Sequence, residues 1–181
     1  MPGTVEHRVV NREQGVKMSI NTAIITLSDK GAAGEREDES GRVIREMIAT
    51  IGASATHYEI LPDEEPLITS TLKKLADSGS IDLILTTGGT GVAPRDVTPE
   101  ATRAVIDREL PGMAEAMRAE SLKKTSHAMI SRAVAGIRKQ TLIVNLPGSP
   151  RAVRENLAVI LHALPHAIDK IKGDPSDCGH S

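Results

Sequence analysis

Aromatic side chains are almost missing from this chain: its 181 residues include one tyrosine, Tyr58, and no phenylalanine or tryptophan. A core must therefore be built from Ile, Leu, Val, Met and Ala. Proteins that bind single-stranded nucleic acid stack bases on aromatic rings, and this chain has no such set. Nor is there a charge excess. The formal net charge is −2, so no global basic field draws in a polyanion, and a small anion must be held by local groups. The single cysteine, Cys178, excludes an intrachain disulfide and a Cys-rich zinc site. No apolar run approaches the roughly 18 residues of a membrane span, and no signal-peptide core is present at the N-terminus. These absences point away from nucleic acid and membrane, and the chain reads as cytoplasmic.

What is present suits one domain. Hydrophobic residues make up 39% and charged residues 25%, both within the globular range. Residues 1–20 have no sustained apolar period and read as a tail, with Met18 a possible alternative start. Residues 21–173 read as the single domain, and 174–181 as a polar tail containing Cys178-Gly179-His180, in which neither Cys178 nor His180 is expected to be a metal ligand.

Apolar runs at 23–27, 54–60 and 81–85 read as strands, with the last one central. Helical spacing predicts helices over 40–51, around Leu67–Leu75, and from Val153 to Ile171, where Pro165 should bend the chain. Thr98-Pro99 reads as a helix start, and Pro111-Gly112 begins the segment 113–124. Residues 132–138 and 141–145 can pair around Lys139-Gln140. Alternating strands and helices predict an α/β fold: three layers, with a mostly parallel sheet covered by helices on both faces. Ligands in such folds sit beyond the carboxyl ends of the strands. Ser28, Asp63, Thr86–Asp96 and Asn145–Ser149 all follow strands or begin the loops after them.

The most informative stretch is ILTTGGTGVAPRDVT, residues 84–98. Thr87-Gly88-Gly89-Thr90-Gly91 lets backbone approach a ligand, and successive N–H groups there can form an anion nest. No Gly-Lys-[Ser/Thr] follows, so it is not a Walker A loop. Pro94 stands where a third glycine would complete a dinucleotide fingerprint. Arg95 can grip a phosphate with its planar fork, and Asp96 beside a phosphate is repulsive unless a cation intervenes. Asp63 is a second acid placed just after a strand. Two carboxylates at a phosphate-binding rim make sense if they share Mg²⁺. Each residue alone also has an ordinary reading. The glycines can form a bare tight turn, Asp63 can cap the next helix, Arg95-Asp96 can be a surface ion pair, and Asp38 or Ser40 can cap the 40–51 helix. His162 and His166 lie at i, i+4 without an acidic companion and read as solvent-facing.

Together the elements TTGGTG-x-x-x-RDVTPEAT, ESL, SR-A-x-AGIR and NLPGSP resemble the molybdopterin adenylyltransferase family, which includes the G domain of gephyrin. The resemblance covers about residues 20–173. It implies transfer of AMP from ATP to molybdopterin with Mg²⁺, in a homotrimer, with a hexamer as the variant assembly. It also implies the molybdate-inserting enzyme as a downstream partner. Residue by residue, it implies that Asp63 and Asp96 are the essential metal-binding acids and that Thr87, Gly88, Gly89, Thr90 and Gly91 form the nucleotide loop. Asn145, Pro147 and Gly148 match a second nucleotide segment. Ser121, Ser131 and Arg132 match the pterin side, with Ser131 also counted as catalytic. Ser28, Asp38 and Ser40 match the first-loop pterin positions more loosely, because the GEREDES loop differs in length and acidity. A non-catalytic pterin-binding protein and a nucleotide-sensing module on the same fold are the alternatives.

Overall fold

The computed structural model describes residues 19–175. Met18, the tail preceding it, Cys178 and His180 lie outside the described residues. Fourteen elements alternate along the chain, beginning with β1 (Ile20–Leu27), α1 (Asp29–Ala32), α2 (Glu39–Ala49), β2 (Ala53–Leu61) and α3 (Glu65–Asp77). The middle contains β3 (Leu83–Thr87), α4 (Thr98–Arg103), β4 (Arg108–Glu109) and α5 (Pro111–Leu122), then a 3₁₀ turn at Ser126–Ile130. The chain closes with β5 (Ala135–Arg138), β6 (Thr141–Leu146), α6 (Pro150–Ile160) and α7 (Ala163–Ile171).

The strands form one six-stranded sheet in the order β2-β1-β3-β6-β5-β4. β2, β1, β3 and β6 are parallel, whereas β5 and β4 join antiparallel at one edge, so the sheet is mixed. The expected hairpin forms, with Lys139 at φ 51° in its two-residue turn, where backbone twist calls for a left-handed residue.

Side-chain alternation sends neighbouring residues of the buried strands to opposite faces. Ile24, Leu85 and Val144 pack under α2, α6 and α7 with Ile44, Leu157 and Leu164. Ile25, Ile84 and Ile143 pack on the other face with Ile68, Leu72 and Val105. The result is a three-layer α/β fold with two aliphatic cores.

The long final helix is interrupted earlier than its proline. It breaks at Leu161-His162, because Pro165 lacks an N–H and its ring crowds the carbonyl four residues back, at Leu161. His162 and His166 face solvent. Among the described residues no helix is long and apolar enough to cross a membrane.

Candidate active site

Parallel pairing of β1, β3 and β6 delivers three loops to one end of the sheet. Leu27 of β1 lies opposite Leu61 of β2, and Thr87 of β3 lies opposite Leu146 of β6. Everything just past those residues therefore gathers at one rim. A cleft of about 450 Å³ opens there, lined by the 26–28 and 36–40 segments, Asp63, Thr87–Gly89, Asp96 and Gly148–Pro150.

The glycine loop is close-packed. Gly88 (φ +101°) donates its N–H to Leu146 O at 3.2 Å, and its carbonyl accepts from Thr98 Oγ1 at 2.9 Å. Thr98 is the first residue of α4, as the Thr98-Pro99 helix start predicts, and its hydroxyl ties the helix to the loop. The Thr87 hydroxyl donates to Pro147 O at 2.7 Å. Thr87 and Gly88 therefore shape the loop, leaving the N–H groups beyond Gly88 as those that can face an anion.

Asp63 and Asp96 line the same cleft. Asp63 does not cap α3, whose preceding residue is Glu64. Its Oδ2 accepts from the Asp29 N–H at 3.1 Å, while Asp29 Oδ1 accepts from the Asp63 N–H at 3.0 Å. This reciprocal pair follows from the strand register, since each aspartate lies two residues beyond the paired leucines. Arg95, expected to meet a phosphate, instead makes two bonds to Asp29, at 3.0 and 2.6 Å. That bond, followed by the Asp63 N–H, holds the Asp29 carboxyl below its usual range. Asp63 is pushed the other way, chiefly by burial and also by the charges of Asp29 and Asp96. Asp96 Oδ2 accepts from the Ala93 N–H at 2.7 Å.

Asp63 and Asp96 each keep one carboxylate oxygen without a hydrogen bond among the described residues. Among those residues, five acids (Glu37, Asp38, Glu39, Asp63 and Asp96) line this cleft against one cation, Arg36. A polyphosphate cannot settle there without a counter-cation. No three His, Cys, Asp or Glu side chains form a metal cluster among the described residues. Two carboxylates are nevertheless the ordinary protein contribution to Mg²⁺, which takes its remaining ligands from water and substrate phosphates. An all-oxygen donor set with a mutually repelling pair fits that ion.

The first loop does more structural work than expected. Asp38, not Ser40, caps α2, accepting from the Gly41 N–H at 2.9 Å. It also accepts from Thr26 Oγ1 at 2.5 Å and from the Tyr58 hydroxyl at 2.7 Å. Burial, followed by that bond, pushes the Tyr58 hydroxyl up to about 12. Ser40 is buried and donates to Gly148 O at 2.8 Å, joining two walls of the cleft. Ser28 caps the short α1.

The remaining expected residues divide. Thr90, Ser121, Ser131 and Pro147 line a second, smaller cleft of about 250 Å³, together with Arg118, Asn156 and the apolar Ile130. The glycine loop and the Pro147-Gly148 step form the wall between the two clefts. The expected pterin residues are therefore split, with Ser28, Asp38 and Ser40 on one side and Ser121 and Ser131 on the other. Ser131 does not line the cleft of Asp63 and Asp96.

Two expected binding residues are used inside the fold. Asn145 is fully buried. Its amide donates to Thr86 Oγ1 at 3.0 Å and Thr102 Oγ1 at 2.9 Å, and its oxygen accepts from the Val134 N–H at 3.1 Å. With both donors and the oxygen engaged, it holds the end of β6 against α4 and does not reach a ligand. Asn145→Ala should lower stability by about 2–4 kcal/mol, because it leaves buried partners unsatisfied; the midpoint of urea unfolding measures this. The Arg132 guanidinium is likewise engaged inside the fold, donating to the Gly91 and Asp96 carbonyls and to Glu100.

Comparison with known proteins agrees with this architecture. Residues 23–166 match the family model described as "Probable molybdopterin binding domain". A protein named molybdopterin adenylyltransferase from Helicobacter pylori strain J99 is 44% identical over 158 residues, covering 86% of this chain and 90% of the relative. One of the same name from Escherichia coli K12 is 39% identical over 171 residues, covering 86% and 87%. The crystal structure of the molybdopterin biosynthesis enzyme MoaB from Thermus thermophilus aligns with a TM-score of 0.81 at 51% identity, covering 87% of this chain and 99% of that one. A family model spanning most of the folded part, together with relatives matched along nearly their whole length, establishes that the chain belongs to the molybdopterin-binding family of molybdenum-cofactor biosynthesis proteins.

Proposed function

We propose that this chain is a molybdopterin adenylyltransferase. It joins the terminal phosphate of molybdopterin to the α-phosphorus of ATP and releases pyrophosphate, giving adenylyl-molybdopterin. The observation that carries this reading is the meeting of Asp63 and Asp96 at one cleft against the Gly88-Gly89 turn. The names of the curated relatives support it.

The attacking phosphate is already an anion near neutral pH and needs no general base. The barrier lies in bringing two anions together in line, so positioning and charge neutralisation carry the catalysis. Mg²⁺, when bound, neutralises charge on the triphosphate. Asp63 and Asp96 are the residues that would hold it, each through its free oxygen. The Gly89 and Thr90 segment offers backbone N–H groups to a phosphate. The Asp29–Arg95 pair fixes the Asp63 backbone and brings a positive charge near its carboxylate. The second cleft, with its hydroxyls and apolar wall, suits the body of one of the two substrates.

Homo-oligomerisation belongs to the same reading. Met129 and Ile130 are 72% and 51% exposed beside the second cleft, which favours a subunit contact there. A cytoplasmic location and delivery of product to a molybdate-inserting enzyme complete the proposal.

The test is incubation of the full chain with molybdopterin, ATP and Mg²⁺. Adenylyl-molybdopterin by mass spectrometry and stoichiometric pyrophosphate are expected, both lost with EDTA. ATP binding with no pyrophosphate release would favour a nucleotide-sensing module.

A further inference from the structure

The Arg132 side chain makes three hydrogen bonds beside the site, to the backbone and to one carboxylate. Its Nε donates to Gly91 O at 2.6 Å, Nη2 donates to Asp96 O at 2.5 Å, and Nη1 is bound to Glu100 Oε1. Its own backbone N–H donates to Thr90 O at 2.9 Å. One residue thus grips both ends of the segment that runs from the glycine loop to Asp96. Burial, the largest single influence, pushes the Glu100 carboxyl up, but the Arg132 bond, a backbone hydrogen bond and the charges of Arg132 and Arg103 together leave it below the usual range. The other Glu100 oxygen is buried and makes no hydrogen bond among the described residues. It stays there because the guanidinium holds its partner oxygen.

The turn that Arg132 grips is what aims the Asp96 carboxylate. Asp96 Oδ2 is fixed by the Ala93 N–H inside that turn, and the Asp96 N–H donates to Ala93 O at 2.9 Å. The carboxylate also lies close to Gly91, where an added Cβ would come within 2.8 Å of Oδ2. The turn itself is exposed, with Val92 at 63%. It has no apolar anchor of its own, so its shape depends on the carbonyls that Arg132 holds at its two ends and on the Arg95–Asp29 pair between them.

We propose that Arg132 is a positioning residue that sets the Asp96 carboxylate in the first cleft, and that it does not bind an anionic substrate. The inference rests on the adenylyltransferase reading for its kinetic effect, but its structural claim stands apart from it. A planar fork serves three acceptors at once, and an ammonium cannot reproduce that geometry.

The experiment compares wild type, Arg132→Lys and Glu100→Ala as full chains; the second variant leaves the arginine in place but removes one of its anchors. At saturating Mg²⁺, Arg132→Lys should lower kcat by about 30–100-fold, as a displaced catalytic group does. The KM for molybdopterin should stay within about twofold, since no substrate contact is lost. Glu100→Ala should shift kcat in the same direction by about fivefold. Independently of turnover, hydrogen exchange at the Ala93 amide should quicken at least about tenfold in Arg132→Lys, because its acceptor moves. Mn²⁺ affinity in the presence of ATP, read by paramagnetic relaxation, should fall with it.

A raised KM for molybdopterin with unchanged kcat would overturn the proposal and restore a substrate-gripping role. Unchanged Ala93 exchange and Mn²⁺ affinity would overturn it as well. If wild type makes no adenylyl-molybdopterin, the enzymatic reading fails, and the exchange and metal measurements alone decide the role of Arg132.

Discussion

Asp96→Asn should lower kcat for adenylyl transfer by about 10³-fold or more while leaving the unfolding midpoint unchanged. The magnitude follows from the role: removing one preorganised electrostatic group costs about 10²–10³ in rate, and loss of a metal ligand adds to this. The stability expectation follows from the contacts. Asp96 uses one oxygen to accept from the Ala93 N–H, and an asparagine oxygen accepts it equally well. Only the charge and one metal-binding oxygen are lost. Pyrophosphate release and thermal unfolding on the same preparation decide the matter; an active, normally folded variant removes Asp96 from the mechanism. Asp63→Asn should be similarly inactive but more stable than wild type in the absence of Mg²⁺. The Asp63 carboxyl lies above its usual range because of burial and of its aspartate neighbours, so the folded state binds that proton more tightly than the unfolded state does. Its contribution favours the fold below the ordinary aspartate range and is lost as the pH rises through the raised value. The asparagine variant should therefore show a flatter stability profile over that interval, measured by chemical unfolding as a function of pH.

The parts of the molecule legible from sequence were those governed by local pattern. β1 and β3 are short aliphatic runs bounded by polar turns, and α2 and α3 have apolar residues at helical spacing. The elements that were missed have no such pattern. β4 is two exposed residues, Arg108 and Glu109, that exist only because β5 pairs with them, and α1 is a single turn. The site divides in the same way. Asp63 and Asp96 could be placed at the rim because both follow β-strand positions. The Asp29 partnership could not, because it depends on β1 and β2 being parallel neighbours in register. Asn145 looked like a ligand contact, since an amide at a strand end before a Pro-Gly step is free to be one. Its buried partner Thr102 is 43 positions away, and no periodicity signals that contact. Arg132, a pterin-side residue by resemblance, has its three acceptors at Gly91, Asp96 and Glu100, and only the folded chain brings them to it.

Gly88→Ala should cost about 2–5 kcal/mol and abolish ATP binding, the largest structural effect expected of any single methyl group in the loop. Two independent effects contribute. At φ +101° an L-residue is strained by about 1–2 kcal/mol. The added Cβ would also stand 2.3 Å from Leu27 O, a backbone atom at the end of β1 that cannot swing aside. Overpacking of that kind costs about 1–3 kcal/mol. Rotating Gly88 to escape would break its N–H bond to Leu146 O and the Thr98 bond to its carbonyl, so the ends of β1, β3 and β6 must separate. Those three ends form the floor of the first cleft. Two other glycines separate the effects. Gly34 has φ +74° with nothing within 4 Å of an added Cβ, so Gly34→Ala should show the strain alone, about 1 kcal/mol, with ATP binding intact. Gly91 has no positive φ, but an added Cβ would lie 2.8 Å from Asp96 Oδ2. Gly91→Ala should therefore leave the fold nearly as stable as wild type while displacing the carboxylate and lowering kcat. Urea unfolding and calorimetric ATP titration of the three variants should give that order. Gly88→Ala as stable as Gly34→Ala would mean that the β1 end is free to move, and the loop would then be a tolerant turn with no cradle to preserve.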